Sequence, residues 1–373
     1  MVYFDNAATT RTKPEVVYDA YNYYVREIGV SPGRGSYVLA IQASRMLYQS
    51  RKTVAKFFGS SNPSNVVFTK NSTEAINFFL RGYLEDGDHV LISPYEHNAV
   101  LRPLHMLKEE GRIDYTVLPE IAIDDPTNEL CKYIRPTTKL LAITLASNLT
   151  GQIVFTTQLS KTAHKYGLKV FLDSSQGAGK LMPNMQRDAI DYLAFTGHKD
   201  LMALPGVGGF VSLENIRIRP LIQGGTGIHG ESYINPEAYP DSYEAGTLNM
   251  PAIWSLKTAL DYIIKHHEEN SQKESALLQY LVEQLRADDR VTIYRLEAMR
   301  VPTICFNIDG IPSSEVVRKL DMSSICVRGG IHCAILAHQT IGTVETGAVR
   351  ISLNYQNTKE EIDYFCRIIK EME

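Results

Sequence analysis

Between about residues 62 and 214 short apolar runs alternate with helical patterns, and this alternation constrains the fold more than any other feature of the chain. The candidate strands are residues 65–69, 89–93, 139–145, 169–173, 192–196 and 208–212, each bounded by Gly, Pro, Asn or Asp. Several are apolar throughout, as strands covered on both faces are. Strand–helix alternation implies a mostly parallel sheet flanked by helices, an α/β fold. Such sheets bind ligands beyond the carboxyl ends of their strands. Candidate functional residues should therefore follow the strands, and they do.

The chain has 373 residues, too many for one ordinary core. A large domain plus a smaller one is expected, with the change near residue 250. Pro251 suits the first position of a helix. Residues 252 to about 285 read as helical, with a polar patch at 268–273 that predicts a break. Runs at 291–294 and 303–308 predict a separate α+β layer. Asn71-Ser72-Thr73-Glu74 and Thr358-Lys359-Glu360-Glu361 each have a capping residue followed three positions later by Glu, a helix-start signature.

A net charge of -4 gives no bulk attraction to nucleic acid or an anionic membrane. No apolar run approaches the ~20 residues that span a bilayer, and Met-Val-Tyr-Phe-Asp lacks the basic start of a signal peptide. Cys131, Cys305, Cys326, Cys333 and Cys366 are odd in number and scattered, without a CxxC. No disulfide framework or zinc site is expected, and a reducing cytoplasm is the natural setting.

The residues that carry chemistry are individually ambiguous. Lys199, just after a strand in Phe195-Thr196-Gly197-His198-Lys199, could lose its proton in a crevice and attack an aldehyde; alone, such a lysine is more often a solvated surface residue. Asp173 ends an apolar strand and could pair with a pyridinium nitrogen, with Gln176 reaching another ring edge; a turn aspartate capping a helix looks the same. Asn71-Ser72-Thr73 suits a phosphate at a helix N-terminus, or is an ordinary cap. His97 could stack on a flat ring, or lie in a turn. Pro205-Gly206-Val207-Gly208-Gly209 is a weak signal. In Val327-Arg328-Gly329-Gly330-Ile331-His332-Cys333-Ala334 the cysteine lies among Arg328, His332 and His338, which could lower its pKa; the other four cysteines read as small apolar fillers. Arg350 interrupts an apolar strand and needs an anion, either a substrate carboxylate or an internal Asp or Glu.

In their order along the chain these segments resemble the class-V aminotransferases, and within them the cysteine desulfurases and selenocysteine lyases with a short cysteine loop. The segments that carry the resemblance are Tyr3-Phe4-Asp5-Asn6-Ala7-Ala8-Thr9-Thr10, Ser72-Thr73-Glu74, Glu96-His97, Asp173 with Gln176, Gly197-His198-Lys199, Glu244-Ala245-Gly246-Thr247, and Arg328 to Cys333 followed by Arg350. The resemblance implies the fold-type-I architecture of pyridoxal 5'-phosphate enzymes. It implies a large domain over residues 15–250 with a mostly parallel seven-stranded sheet, and a small α+β domain formed by 1–14 and 251–373. It implies that L-cysteine becomes L-alanine while its sulfur passes to Cys333 as a persulfide. Lys199 would hold the cofactor as a Schiff base and shuttle protons. Asp173 would pair with the ring nitrogen, Gln176 and Asn148 would approach the phenolic oxygen, and His97 would stack on the ring. Ser72, Thr73, Thr196 and His198 would hold the phosphate, with Thr247 added from the neighbouring subunit of a homodimer. Arg350, with Asn148, Ala8 and Arg328, would bind the substrate, and a sulfur-acceptor protein would take the persulfide sulfur.

There are departures from the pattern. Ile331-His332 stands where that branch has two histidines, and Arg34-Gly35-Ser36-Tyr37 lacks a histidine found in relatives. These bear on the substrate and the acceptor. Selenocysteine lyase, a cysteine or cystine β-lyase and a small-amino-acid aminotransferase are alternative activities on the same residues. A sulfur-relay scaffold is the non-enzymatic alternative, and Lys199 with Asp173 argue against it.

Overall fold

A computed structural model of the chain describes every residue except Arg34, 215–217, His229 and Glu373. The departure noted at Arg34 thus lies outside the described residues. The strands in chain order are β1 (Val2–Tyr3), β2 (Val66–Thr69), β3 (His89–Ile92), β4 (Asp114–Val117), β5 (Thr138–Thr144), β6 (Lys169–Asp173), β7 (Tyr192–Thr196), β8 (Gly208–Ser212), β9 (Val291–Ile293), β10 (Thr303–Ile308), β11 (Ile325–Cys326), β12 (Arg328–Gly330) and β13 (Ala348–Ser352).

Seven of them form one sheet in the order β2-β8-β7-β6-β5-β3-β4. All neighbours in it are parallel except β8, which runs antiparallel to β2 and β7. Alternate residues of each inner strand feed opposite cores: Val170 and Leu172 enter one cluster, Phe171 the other. Burial on both faces is why these strands read as continuous apolar runs. The pattern found six of the seven. β4, whose residues are all partly exposed, sits at the sheet edge and carries no such run.

A second sheet, β12-β13-β10-β9, is antiparallel and covers a third core with the final helix, Lys359–Lys370. That helix opens with the expected capping box between Thr358 and Glu361. β1 pairs in parallel with β11. The polar patch at 268–273 does not break its helix, which runs unbroken as Met250–Arg286. Its Glu, Gln and Lys residues are good helix formers, Glu269 pairs with Lys273 one turn on at 2.8 Å, and His267 Nε2 reaches the Lys180 carbonyl at 2.9 Å. Among the described residues no helix is long and apolar enough to cross a membrane.

Candidate active site

At the carboxyl ends of β5, β6 and β7 lies a cavity of about 240 Å³, lined by Asn71, Ser72, Thr73, His97, Thr144, Asn148, Asp173, Ser175, Gln176, Thr196, His198 and Lys199. Asp173 is the last residue of β6, and Ser175 donates to its Oδ1 from both N and Oγ, at 2.9 and 2.5 Å. Asn71 caps the helix Ser72–Tyr83 by accepting from Glu74 N. The first-turn N–H groups of Ser72 and Thr73 have no intrahelical acceptor by geometry and suit an anion. Gly208 explains part of the glycine-rich segment: a Cβ there would stand 2.6 Å from the backbone of Asn71, so the turn can approach only a glycine.

The electrostatics of the cavity follow from burial. Desolvation, with Asp173 opposing and the Arg350 cation assisting, lowers the pKa of Lys199 and favours its neutral amine. Desolvation and the Lys199 charge lower His97 to about 4, and the same causes with Lys13 lower His198 to about 4. Both rings are therefore neutral near pH 7. His97 Nδ1 accepts from Ala99 N at 3.0 Å, which assigns the ring proton to Nε2. Behind His97, Glu96 is fully buried and takes Ser93 Oγ and Thr144 N on one oxygen, while its Oε2 has no partner. Burial, with the Asp173 charge adding to it, raises Glu96 to about 8.

The turn carrying Lys199 is held by the N-terminal arm. Thr10 N and Thr9 Oγ1 donate to the His198 carbonyl at 3.1 Å each, and Thr10 Oγ1 donates to the Lys199 carbonyl at 2.9 Å. Gln176 spends one amide N–H on the Ala7 carbonyl at 2.8 Å, leaving the other for a ligand.

Cys333 stands outside the cavity lining, at its rim. Its carbonyl accepts from Asn98 N at 2.9 Å, and the His332 carbonyl accepts from Asn148 Nδ2 at 2.7 Å. One face of the loop is thereby docked on the start of the helix after His97 and on a cavity residue. Gly330, His332 and Cys333 have φ of 98, 54 and 56°, a left-handed path that costs on the order of 1–3 kcal/mol for each non-glycine residue. Cys333 is exposed. Burial raises the thiols of Cys305 and Cys366 to about 12, as expected of fillers, whereas Cys131 is exposed and does not fit that reading.

One sequence-based expectation changes here, and one alternative left open gains an observation. His332 and His338 do not lend charge to Cys333: they stack on each other with ring centroids 5.9 Å apart, and desolvation lowers both, His332 to about 3. Arg350 is almost wholly buried, and its Nη2 is paired with Asp5 at 2.6 Å while Nη1 donates to the Asn148 carbonyl at 2.8 Å. Of the two anions left open, an internal acid is thus present on Nη2, while Nε is buried and unpartnered. Ala8, Arg328, Arg350 and Thr247 do not line the cavity. Thr144 and Ser175 do, and were missed. Thr144 lies opposite Asp173 in the β5–β6 register, a relation only the pairing reveals.

The residues present fit a planar phosphorylated ring. Thr196 Oγ1 and Asn148 Oδ1 are buried polar atoms without a partner, left for a ligand to satisfy. They stand with an acid, a neutral histidine face, a lysine amine and a helix N-terminus in one enclosed space.

The model of the class-V aminotransferase family matches residues 2–365. Over 385 aligned residues the chain is 31% identical to a probable cysteine desulfurase of Methanothermobacter thermautotrophicus, covering 100% of this chain and 94% of that protein. It is 30% identical to a cysteine desulfurase of Serratia proteamaculans, over 97% of this chain and 91% of that one. Among solved structures, the apo cysteine desulfurase of Thermococcus onnurineus NA1 superposes with a TM-score of 0.91 at 30% identity, covering 99% of this chain and 94% of the other.

Proposed function

The chain belongs to the class-V aminotransferase family, and on that premise we propose that it is a pyridoxal 5'-phosphate-dependent cysteine desulfurase that takes sulfur from L-cysteine onto Cys333 and releases L-alanine. The observation that carries this reading is the docking of an exposed cysteine at the rim of the Lys199 cavity, through Asn98 and Asn148.

Pyridoxal 5'-phosphate, when bound, supplies an electron-withdrawing ring that accepts the electron pair left at the substrate α-carbon. Ser72, Thr73, Thr196 and His198 would hold its phosphate, Lys199 Nζ would anchor it covalently, and His97 would offer an uncharged face. Asp173 would hold a proton on the ring nitrogen. Lys199 Nζ, freed once the substrate amine takes its place, would take the α-proton and later return one to the three-carbon fragment. Asn148 and Arg350 orient the substrate carboxylate, with Ala8 and Arg328 beside it; for this the carboxylate shares or replaces Asp5 on Arg350. The Cys333 thiolate attacks the substrate sulfur. The carbon–sulfur bond breaks, its electron pair goes to the carbon fragment, and Cys333 keeps the sulfur as a persulfide. A thiol or an acceptor protein then reduces it.

The acting unit is a homodimer in which Thr247 completes the phosphate site of the neighbouring copy. Support comes from Thr247 being exposed and off its own chain's Lys199 cavity, in a segment whose Glu244 and Gly246 line an open cavity with exposed Tyr48 and Ile228. A reducing cytoplasm suits an exposed working thiol.

The test is the product formed from L-cysteine by cofactor-loaded protein with a reductant present. Equal alanine and sulfide, lost in Cys333→Ala, is the expected result. Pyruvate and ammonia, unaffected by Cys333→Ala, would overturn it in favour of a β-lyase.

A further inference from the structure

The Glu244-Ala245-Gly246-Thr247 segment contains a residue with no role so far. Glu244 lies three positions before Thr247, and its side chain is 4% exposed, facing Arg51 at 8%. Arg51 Nη1 donates to Glu244 Oε1 at 2.8 Å and Nη2 pairs with Oε2, so the contact is bidentate. Glu244 Oε1 also accepts from Phe68 N at 2.6 Å, Arg51 Nη1 donates to the Val66 carbonyl at 2.6 Å, and the guanidinium lies 5.1 Å from the Phe68 ring centroid. The loop is therefore bolted to the helix Val38–Phe58 and to β2.

A buried ion pair is a poor way to gain stability, because apolar residues of similar volume often do as well or better. What a forked pair adds is direction: two parallel hydrogen bonds fix angle as well as distance. Neither Arg51 nor Glu244 lines the Lys199 cavity of their own chain. They line an open cavity of about 290 Å³ with Gly246 and with Tyr48 and Ile228, which are 59% and 41% exposed. Directionality here serves something outside the chain's own site.

Resting on the reading of Thr247 given above, we infer that Arg51 and Glu244 are a positioning pair that holds Thr247 at the phosphate of the neighbouring copy. β2 is the shared reference. It ends at Thr69, two residues before the Asn71-Ser72-Thr73 turn that lines the chain's own cavity, and it accepts the bolt that fixes the loop for the other cavity. The two phosphate sites of the dimer are thus referenced to the same strand.

The experiment uses mixed dimers of differently tagged chains, one chain of each dimer carrying Lys199→Ala so that only one site retains its lysine. The readout is the visible absorbance of lysine-bound cofactor during titration with pyridoxal 5'-phosphate. In the first dimer Glu244→Gln is on the chain that keeps Lys199; affinity equal to the unaltered control is expected. In the second, Glu244→Gln is on the Lys199→Ala chain, and affinity should fall roughly tenfold, the scale of one misaligned charge-assisted hydrogen bond. Pyridoxal, which lacks the phosphate, should bind equally to both. Equal affinities for the phosphorylated cofactor in the two dimers, or a loss confined to the first, would overturn the inference. Thr247→Ala placed as in the second dimer separates the two levels. A loss with Thr247→Ala but none with Glu244→Gln rejects the positioning pair alone. No loss with either rejects the trans-acting Thr247 beneath it. If Glu244→Gln chains do not fold, Arg51→Lys keeps the charge and loses the fork, and a smaller loss in the second dimer only is then expected.

Discussion

Lys199 follows a strand whose five residues are all buried, and three hydrogen bonds from the N-terminal arm hold the carbonyls of its turn. Cys333 stands on a loop with three left-handed residues in four, exposed, and tied to the rest of the site by two carbonyls. The first arrangement sets the protonation of a half-buried lysine through desolvation. The second places a thiol where a substrate on one side and an acceptor on the other can both reach it. A group that serves only cofactor and substrate inside the cavity can be set back from solvent; one that must hand an atom to another molecule cannot.

The largest expected effect would break this division of labour if it failed. Lys199→Ala should abolish the visible absorbance of bound cofactor and lower alanine formation by roughly 10²–10⁴-fold, the scale of a lost proton-transfer group. Absorbance spectra and product assays check both. Cys333→Ala should leave the absorbance in place. A shared loss of absorbance in the two variants would mean that cavity and loop do not act separately.

The pH response sharpens the comparison. The folded protein binds a proton at Glu96 up to about pH 8, whereas an ordinary glutamate releases it near 4.5. More protons are bound folded than unfolded in that window, so this group's contribution to stability falls as pH rises through it, by on the order of a few kcal/mol. His332 behaves oppositely. Its folded pKa of about 3 lies below the ordinary 6.5, so the loop loses stability as pH falls through that range; His97 and His198 add to the acid side. Glu96→Gln should therefore flatten the decline of the thermal midpoint of cofactor-free protein between about pH 6.5 and 8, and steepen the loss on acidification between about 6.5 and 4.5, where the two contributions oppose each other. An unaltered alkaline slope would show that Glu96 titrates normally.

The smallest effect concerns the loop's path. A Cβ on Gly330 meets nothing within 4 Å, so Gly330→Ala bears only the cost of its φ of 98°. A loss of about 1 kcal/mol in denaturant unfolding is expected. A much larger loss would mean that the loop is more tightly packed than the cavity it serves.

What could be read from the residues follows the same division. β6, β7 and β8 were legible to the residue, because two-sided burial writes itself as a continuous apolar run. Lys199, Asp173, His97 and the Asn71 turn were ambiguous one by one; their positions after strand ends and the family resemblance singled them out, and the structure brings them to one cavity. β4 was not legible, since an edge strand carries no run. Nor was the state of His332 and His338: proximity in sequence suggested charge beside Cys333, and burial removed it. Asp5 as the partner of Arg350 was beyond reach from the residues alone, because an ion pair 345 positions apart leaves no local pattern.

That separation has a consequence for how the molecule is made. Asp5 and Ala7 are each made 345 residues before their partners, Arg350 and Ser352. At about 5–20 residues per second the arm waits tens of seconds before β13 exists to receive it. The seven-stranded sheet, complete by Ser212, can assemble meanwhile, but the Arg350 end of the site cannot. The strands that line the cofactor cavity are thus made well before the arginine at its substrate end, and the arm must keep Asp5 available until that arginine exists.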